Sequence, residues 1–349
     1  MKIIAVIIGI VAVGAIAAGA VYMGLIEIPG MPGIPAGAID AVPSGVDIVG
    51  IANWDKMIND RDVRSLGDKF LDVMDGEYTS FDEAYSDLKD KAEDEAGIDL
   101  DKISSVVFFG KIPKTMGYYG TKPPEYFGLI IESDLDKDKI IAKIREEGEE
   151  IEEETHNGVD VSIIATGQEP EVAIAELDKL LLFGTKEAVF DSIDAKKDSD
   201  ERLKGELKNS FDSVKGNFIK VAVEIPEELR EEIEKQGLTP GAPIDISKFS
   251  KIEYVAYGLN KEGKKFSTHV SIRTSDKSSA KDVADVIEGA VKMYRGMAPE
   301  ETKKVLEKYE ITQSDTTVKI DSEITVEEIE EAIEAIEELS KSKSYPFGR

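Results

Sequence analysis

Two histidines, His156 and His269, carry most of this chain's potential for chemistry near neutral pH, because cysteine is absent. His156 stands in the turn Thr155-His156-Asn157-Gly158, and His269 stands in a strand pattern. Each lacks a partner at ligand spacing, so neither a histidine-activated nucleophile nor a zinc set is expected. Without cysteine there are also no disulfides, thiolate metal ligands or cysteine nucleophiles.

Acidic residues are the next candidates. The run Asp134-Leu135-Asp136-Lys137-Asp138-Lys139 has the alternating carboxylates of a calcium loop, but its sixth position is Lys139 and its twelfth is Arg145, where such a loop needs Gly and Glu. An N-cap with an acidic first turn accounts for it better. Glu149, Glu150, Glu152, Glu153 and Glu154 contain no pair that stands out as a glycosidase couple. Glu327, Glu328, Glu330, Glu331, Glu334, Glu337 and Glu338 read as the wet side of a helix with the apolar stripe Val326, Ile329, Ile333 and Ile336. No glycine-rich loop has Walker or dinucleotide spacing, and no cofactor or metal site is expected.

One segment differs in character. Between Gly110 and Tyr126 the acidic chain concentrates tyrosine, proline and lysine, while the matching connection further on, Leu259–Lys265, is short. Long loops with aromatics are common contact sites, so Lys111, Lys114, Tyr118, Tyr119, Lys122 and Tyr126 are the expected partner-binding residues.

The elements that must position these residues follow from patterning. From Ile3 to Ile26 no residue is charged, and as a helix this stretch spans roughly 36 Å, enough to cross a bilayer core. Lys2 before it and Glu27 after it put the rest of the chain outside. Residues 1–27 therefore read as an uncleaved transmembrane anchor and signal anchor, with cleavage after the small residues Ala15–Ala20 as the alternative. Residues 28–41, rich in proline and glycine, read as a linker.

Beyond the linker, strand, helix, strand, strand, helix and strand patterns run from Val42 to Lys197, and the same order recurs from Leu207 to Leu339. Val46–Ala52 matches Phe218–Glu224, and Ile98–Gly110 matches Ile244–Gly258 with the Ile-Asp pair, a lysine and a serine in register. Tyr126–Glu132 matches Lys265–Ile272, and Val159–Ala165 matches Thr316–Asp321. The expected fold is α+β: a transmembrane helix, then two tandem repeats (42–197 and 207–339) of antiparallel sheet with helices on one face, and a tail, 340–349.

Leu180-Leu181-Leu182-Phe183-Gly184-Thr185-Lys186-Glu187-Ala188-Val189-Phe190-Asp191-Ser192-Ile193, with the opening Val42-Pro43-Ser44-Gly45-Val46-Asp47, resembles a family of membrane-anchored extracytoplasmic proteins of unknown function from archaea and bacteria. The resemblance implies an outward-facing duplicated domain without assigned chemistry.

The net charge of −28, from 71 Asp and Glu against 43 Lys and Arg, repels phosphate backbones and excludes nucleic acid as a partner. The expected function is a non-catalytic binding or structural protein of the cell envelope, held in the membrane through residues 3–26 and contacting a protein or an envelope polymer. A filament or surface-layer subunit built through the apolar helix is one alternative. A carboxylate-based hydrolase of an envelope polymer is the other.

Overall fold

In the computed structural model, which describes residues 36–74, 78–113, 124–165, 170–236 and 246–342, strand pairing sets the architecture. The first half of the chain supplies β1 (Ile48–Ala52), β2 (Ile103–Gly110), β3 (Phe127–Ser133), β4 (Glu150–His156), β5 (Val159–Ala165), β6 (Val172–Leu177) and β7 (Leu180–Thr185). The second half supplies β8 (Ile219–Glu224), β9 (Ile252–Glu262), β10 (Lys265–Thr274), β11 (Glu310–Ser314) and β12 (Thr317–Thr325). Helices α1 (Ala36–Ile39), α2 (Trp54–Asn59), α3 (Arg61–Met74), α4 (Phe81–Ala96), α5 (Lys137–Glu146) and α6 (Lys186–Lys197) belong to the first half. Helices α7 (Gly205–Ser213), α8 (Glu227–Gln236), α9 (Lys277–Met297), α10 (Glu300–Leu306) and α11 (Val326–Ser342) belong to the second.

The expected fold class needs correction, because the strands form one continuous sheet. Its order is β11-β12-β10-β9-β8-β1-β2-β3-β7-β6-β5-β4, with every neighbouring pair antiparallel. The seam is the pairing of β1 with β8, from Ile48↔Val223 to Ala52↔Ile219. β1 carries no charge along its edge, and pairing it with β8 satisfies backbone groups that water would otherwise have to solvate. Outward from the seam the order β1, β2, β3 mirrors β8, β9, β10. Beyond that the halves differ: β12 takes the place next to β10 that β7 takes next to β3, so Thr316–Asp321 is not positioned as Val159–Ala165 is. A three-residue 3₁₀ turn, Leu100–Lys102, precedes β2, whereas a six-residue one, Ile246–Lys251, precedes β9.

The expected transmembrane helix and membrane anchor are also corrected. No helix among the described residues is long and apolar enough to cross a membrane. The longest, α9, spans 21 residues but carries Lys281, Asp282, Asp285, Glu288 and Lys292. Residues 3–26, on which the expected anchor rests, lie outside the described residues. Within the stretch read as linker, α1 packs against the sheet and Ala38 and Ala41 are fully buried.

Helices do not cover one face only, as expected. In the first half, one sheet face packs Val49, Ile51, Val107, Phe109 and Ile130 against α1, α6 and α7. The opposite face packs Leu129, Ile131, Ile174 and Phe183 against α2, α4 and α5. That sandwich explains the continuous apolar runs of β3 and β7, since a strand buried on both faces has no polar alternation. In the second half, α9 and α11 cover a single face through Ile272, Val283, Val318, Phe266 and Ile324.

Caps fix several boundaries. Ser80 caps α4, whose end at Gly97 uses left-handed backbone, and Asp136 caps α5 by accepting from the Asp138 and Lys139 amides. Asp60 separates α2 from α3, accepting from the Asp62 and Val63 amides at 2.9 and 3.1 Å.

Candidate functional site

Of the six residues expected to bind a partner, Lys114, Tyr118, Tyr119 and Lys122 lie outside the described residues. Tyr126 is 4% exposed and packs edge-on against Phe109, with ring centroids 6.3 Å apart. Its hydroxyl donates to Asp191 at 2.7 Å, and burial followed by that carboxylate pushes its pKa well above the usual tyrosine range. Tyr126 therefore anchors the loop to the core. Lys111 is exposed, with its ammonium 4.2 Å from the centre of the Tyr126 ring. The structure brings these two together.

Both histidines have partners that sequence spacing does not show. His156 Nε2 meets Asp194 of α6 at 2.8 Å, and its ring stacks on Phe190 at 4.2 Å. This fastens the β4–β5 turn to α6. His269 Nδ1 lies 2.6 Å from Asp321 Oδ1 on the neighbouring strand, where the two residues are directly opposite. A carboxylate oxygen only accepts, so Nδ1 carries a proton in this contact.

His269 belongs to the sheet face that no helix of the described residues covers beyond α7. Strand alternation puts Ser267, His269, Ser271 and Arg273 of β10 on that face, with Lys319, Asp321 and Glu323 of β12 and Glu310, Thr312 and Ser314 of β11 beside them. All of these are half-buried or exposed, whereas Phe266, Thr268 and Ile272, which alternate with them, are buried beneath the helices. Thr268 and Ser322 share a hydrogen bond of 2.6 Å on that buried side.

The border with the covered region is built from cations over rings. Arg273 lies 4.3 Å above the Tyr254 ring and pairs with Glu206 of α7. Lys220 lies 4.4 Å above Phe211, and burial holds its ammonium below the usual lysine value. Where β11 stops, the open face runs into a cleft of about 420 Å³ lined by Ser267, His269, Lys308, Glu310, Asp321, Ser322 and Glu323. In the first half, by contrast, a void of about 10 Å³ is enclosed by Ile98, Val106, Leu129, Ile140 and their neighbours. It has no polar lining to hold water.

Ser267, His269 and Asp321 share one face, but no hydrogen bond joins Ser267 to His269, so the geometry of a serine nucleophile with a histidine base is not assembled. Among the described residues no group of three or more His, Asp or Glu side chains is arranged to hold a metal ion. Asp134 pairs with Lys179 at 3.2 Å, and Glu153 with Arg145 at 3.1 Å. Lys69 of α3 meets Glu334 and Glu330 of α11 at 2.6 and 3.6 Å, so part of the expected wet face of that helix is a seam with the first half.

No family model matches the chain, and no curated protein does. Among solved structures it is similar to three crystal forms of TP0453. Form I aligns at a TM-score of 0.43 with 10% identity, covering 86% of this chain and 98% of that one. Form III aligns at 0.44 with 9% identity and the same coverage, and form IV at 0.42 with 9% identity, covering 85% and 96%. At these values the likeness bears on neither function nor partner.

Proposed function

We propose that the protein is a non-catalytic binding protein whose contact surface is the uncovered face of the second half of the sheet. The observation that carries this reading is the contrast in cover: β3 and β7 lie under helices on both faces, whereas β10 and β12 present a polar, half-exposed face to solvent. A face whose alternate residues are Ser267, His269, Ser271 and Arg273 opposite Thr317, Lys319, Asp321 and Glu323 mixes donors and acceptors, which suits orientation-specific contact. Asp321 holds the imidazole in one orientation at the centre of that face. The partner class is a protein or a polymer of the cell envelope.

The test is site-specific photo-crosslinking in intact producing cells, with the crosslinker at Ser271 on the open face or at Ala142 on exposed α5. A discrete adduct from position 271 and none from 142 is expected. Equal labelling from both positions, or none from 271, would contradict the reading.

A further inference from the structure

The sheet ends in two free edges that are built differently. At one end β4 presents Glu150, Glu152, Glu153 and Glu154. At the other, β11 reads Glu310-Ile311-Thr312-Gln313-Ser314 and has a single charge. Among the described residues no backbone hydrogen bond joins β11 to anything but β12. An edge in this condition offers its outward N–H and C=O groups to any extended chain, and charge along an edge is a usual way to prevent that. β4 has such a guard and β11 does not.

The surroundings of β11 specify the chemistry of the occupant. Pairing between β11 and β12 ends at Glu310↔Asp321, while β12 continues to Thr325, so the cleft opens beside unpaired β12 backbone. The carboxylates Glu310, Asp321 and Glu323 line that cleft. Lys308 pairs with Glu328, His269 bonds Asp321 and Lys265 pairs with Glu323, so among the described residues Glu310 is the cleft carboxylate with no ion pair. Along β11 itself, Glu310, Thr312 and Ser314 are exposed and lie on the open face, while the half-buried Ile311 packs toward α9. A strand laid beside β11 would therefore meet Glu310, Thr312 and Ser314 on one face and an aliphatic border on the other.

Resting on the binding reading above, we infer that β11 is the docking strand for an extended segment of a partner protein with alternating basic and β-branched residues. The segment extends the sheet by one strand, its basic residues on the face of Glu310 and its aliphatic ones beside Ile311. A second copy of this chain is the weaker occupant, because each copy has a net charge of −28 and the two repel.

The test is fluorescence anisotropy of the full chain with a capped nine-residue peptide of alternating lysine and valine. Controls are the same peptide N-methylated at alternate residues and its glutamate–valine counterpart. The lysine peptide binds, and N-methylation, which keeps the charge but removes edge donors, weakens it about tenfold or more. Glu310→Gln weakens it about threefold, while Glu152→Gln on the β4 edge leaves it unchanged. Four results overturn the inference: no binding, equal binding of the N-methylated peptide, an equal effect of Glu152→Gln, or a concentration-dependent dimer abolished by Gln313→Pro. If the peptides fail while the crosslinker at Ser271 still captures a partner, the edge inference falls and the binding reading stands.

Discussion

The two halves of the sheet solve the same packing problem to different extents. β3, at the middle of the first half, has Ile130 on one face and Leu129 and Ile131 on the other, all buried under helices. β10, its counterpart in position, buries Phe266 and Ile272 beneath helices and leaves Ser267, His269 and Ser271 open. The difference teaches where stability and contact are divided: the first half is a sandwich whose exposed edge is guarded by glutamates, and the second keeps a polar face and an unguarded edge. Between them the seam is pinned by charge. Lys261 of β9 is 7% exposed and reaches Asp60 at 2.6 Å and Asp62 at 2.5 Å across the boundary.

That seam gives the largest expected effect. Lys261→Met leaves the buried Asp60 carboxylate without its cation, a change expected to cost about 3–5 kcal/mol of stability in urea unfolding. A loss under about 1 kcal/mol would mean that the halves do not depend on this contact.

Matched truncations compare the two interiors directly. Ile130→Ala, inside the sandwich, is expected to cost about 2–5 kcal/mol. Ile320→Ala, half-buried under α9, should cost roughly half as much. Equal losses would erase the distinction.

Close approach gives the next effect. A Cβ on Gly50 would fall 2.1 Å from the Phe108 ring, which lies across it from the neighbouring strand. Gly50→Ala is therefore expected to cost about 1–3 kcal/mol by the same measurement. On the open face, Ser271→Ala should stay within about 0.5 kcal/mol of the parent, because the residue is only half-buried.

The smallest effect concerns acid. Asp276 caps α9, and bonds from the Ser279 hydroxyl and then its amide hold the carboxylate below its ordinary range. A folded value below the unfolded one gives a contribution that is full above about pH 4 and lost as pH falls through the folded value. Stability measured against pH should therefore fall less steeply on the acid side in Asp276→Asn than in the parent.

The sequence reveals most where one pattern dominates. The strands β2, β3, β5 and β7 follow from apolar runs, and α4, α5 and α6 from capped, periodic stretches with Ser80, Asp136 and Thr185 at their starts. β4 is hidden because its Glu-rich sequence disfavours strand, and its pairing with β5 overrides that preference. β11 has only five residues, and α7 begins inside the charged stretch that ends at Lys208. The joining of the halves depends on which edges meet, and strand patterns do not encode that. The open face has the same origin: His269 and Asp321 are 52 residues apart and become partners only through the register of β10 and β12. Alternation along β10 marks one polar face, but only the helices' placement shows that this face stays bare.

The asymmetry between the two edges is tested most directly by amide hydrogen exchange of the full chain with and without the lysine–valine peptide, resolved strand by strand. The account predicts slowed exchange confined to Glu310–Ser314 and the adjoining end of β12, with β4 unchanged. Equal protection of both edges, or protection of β4 alone, would contradict it.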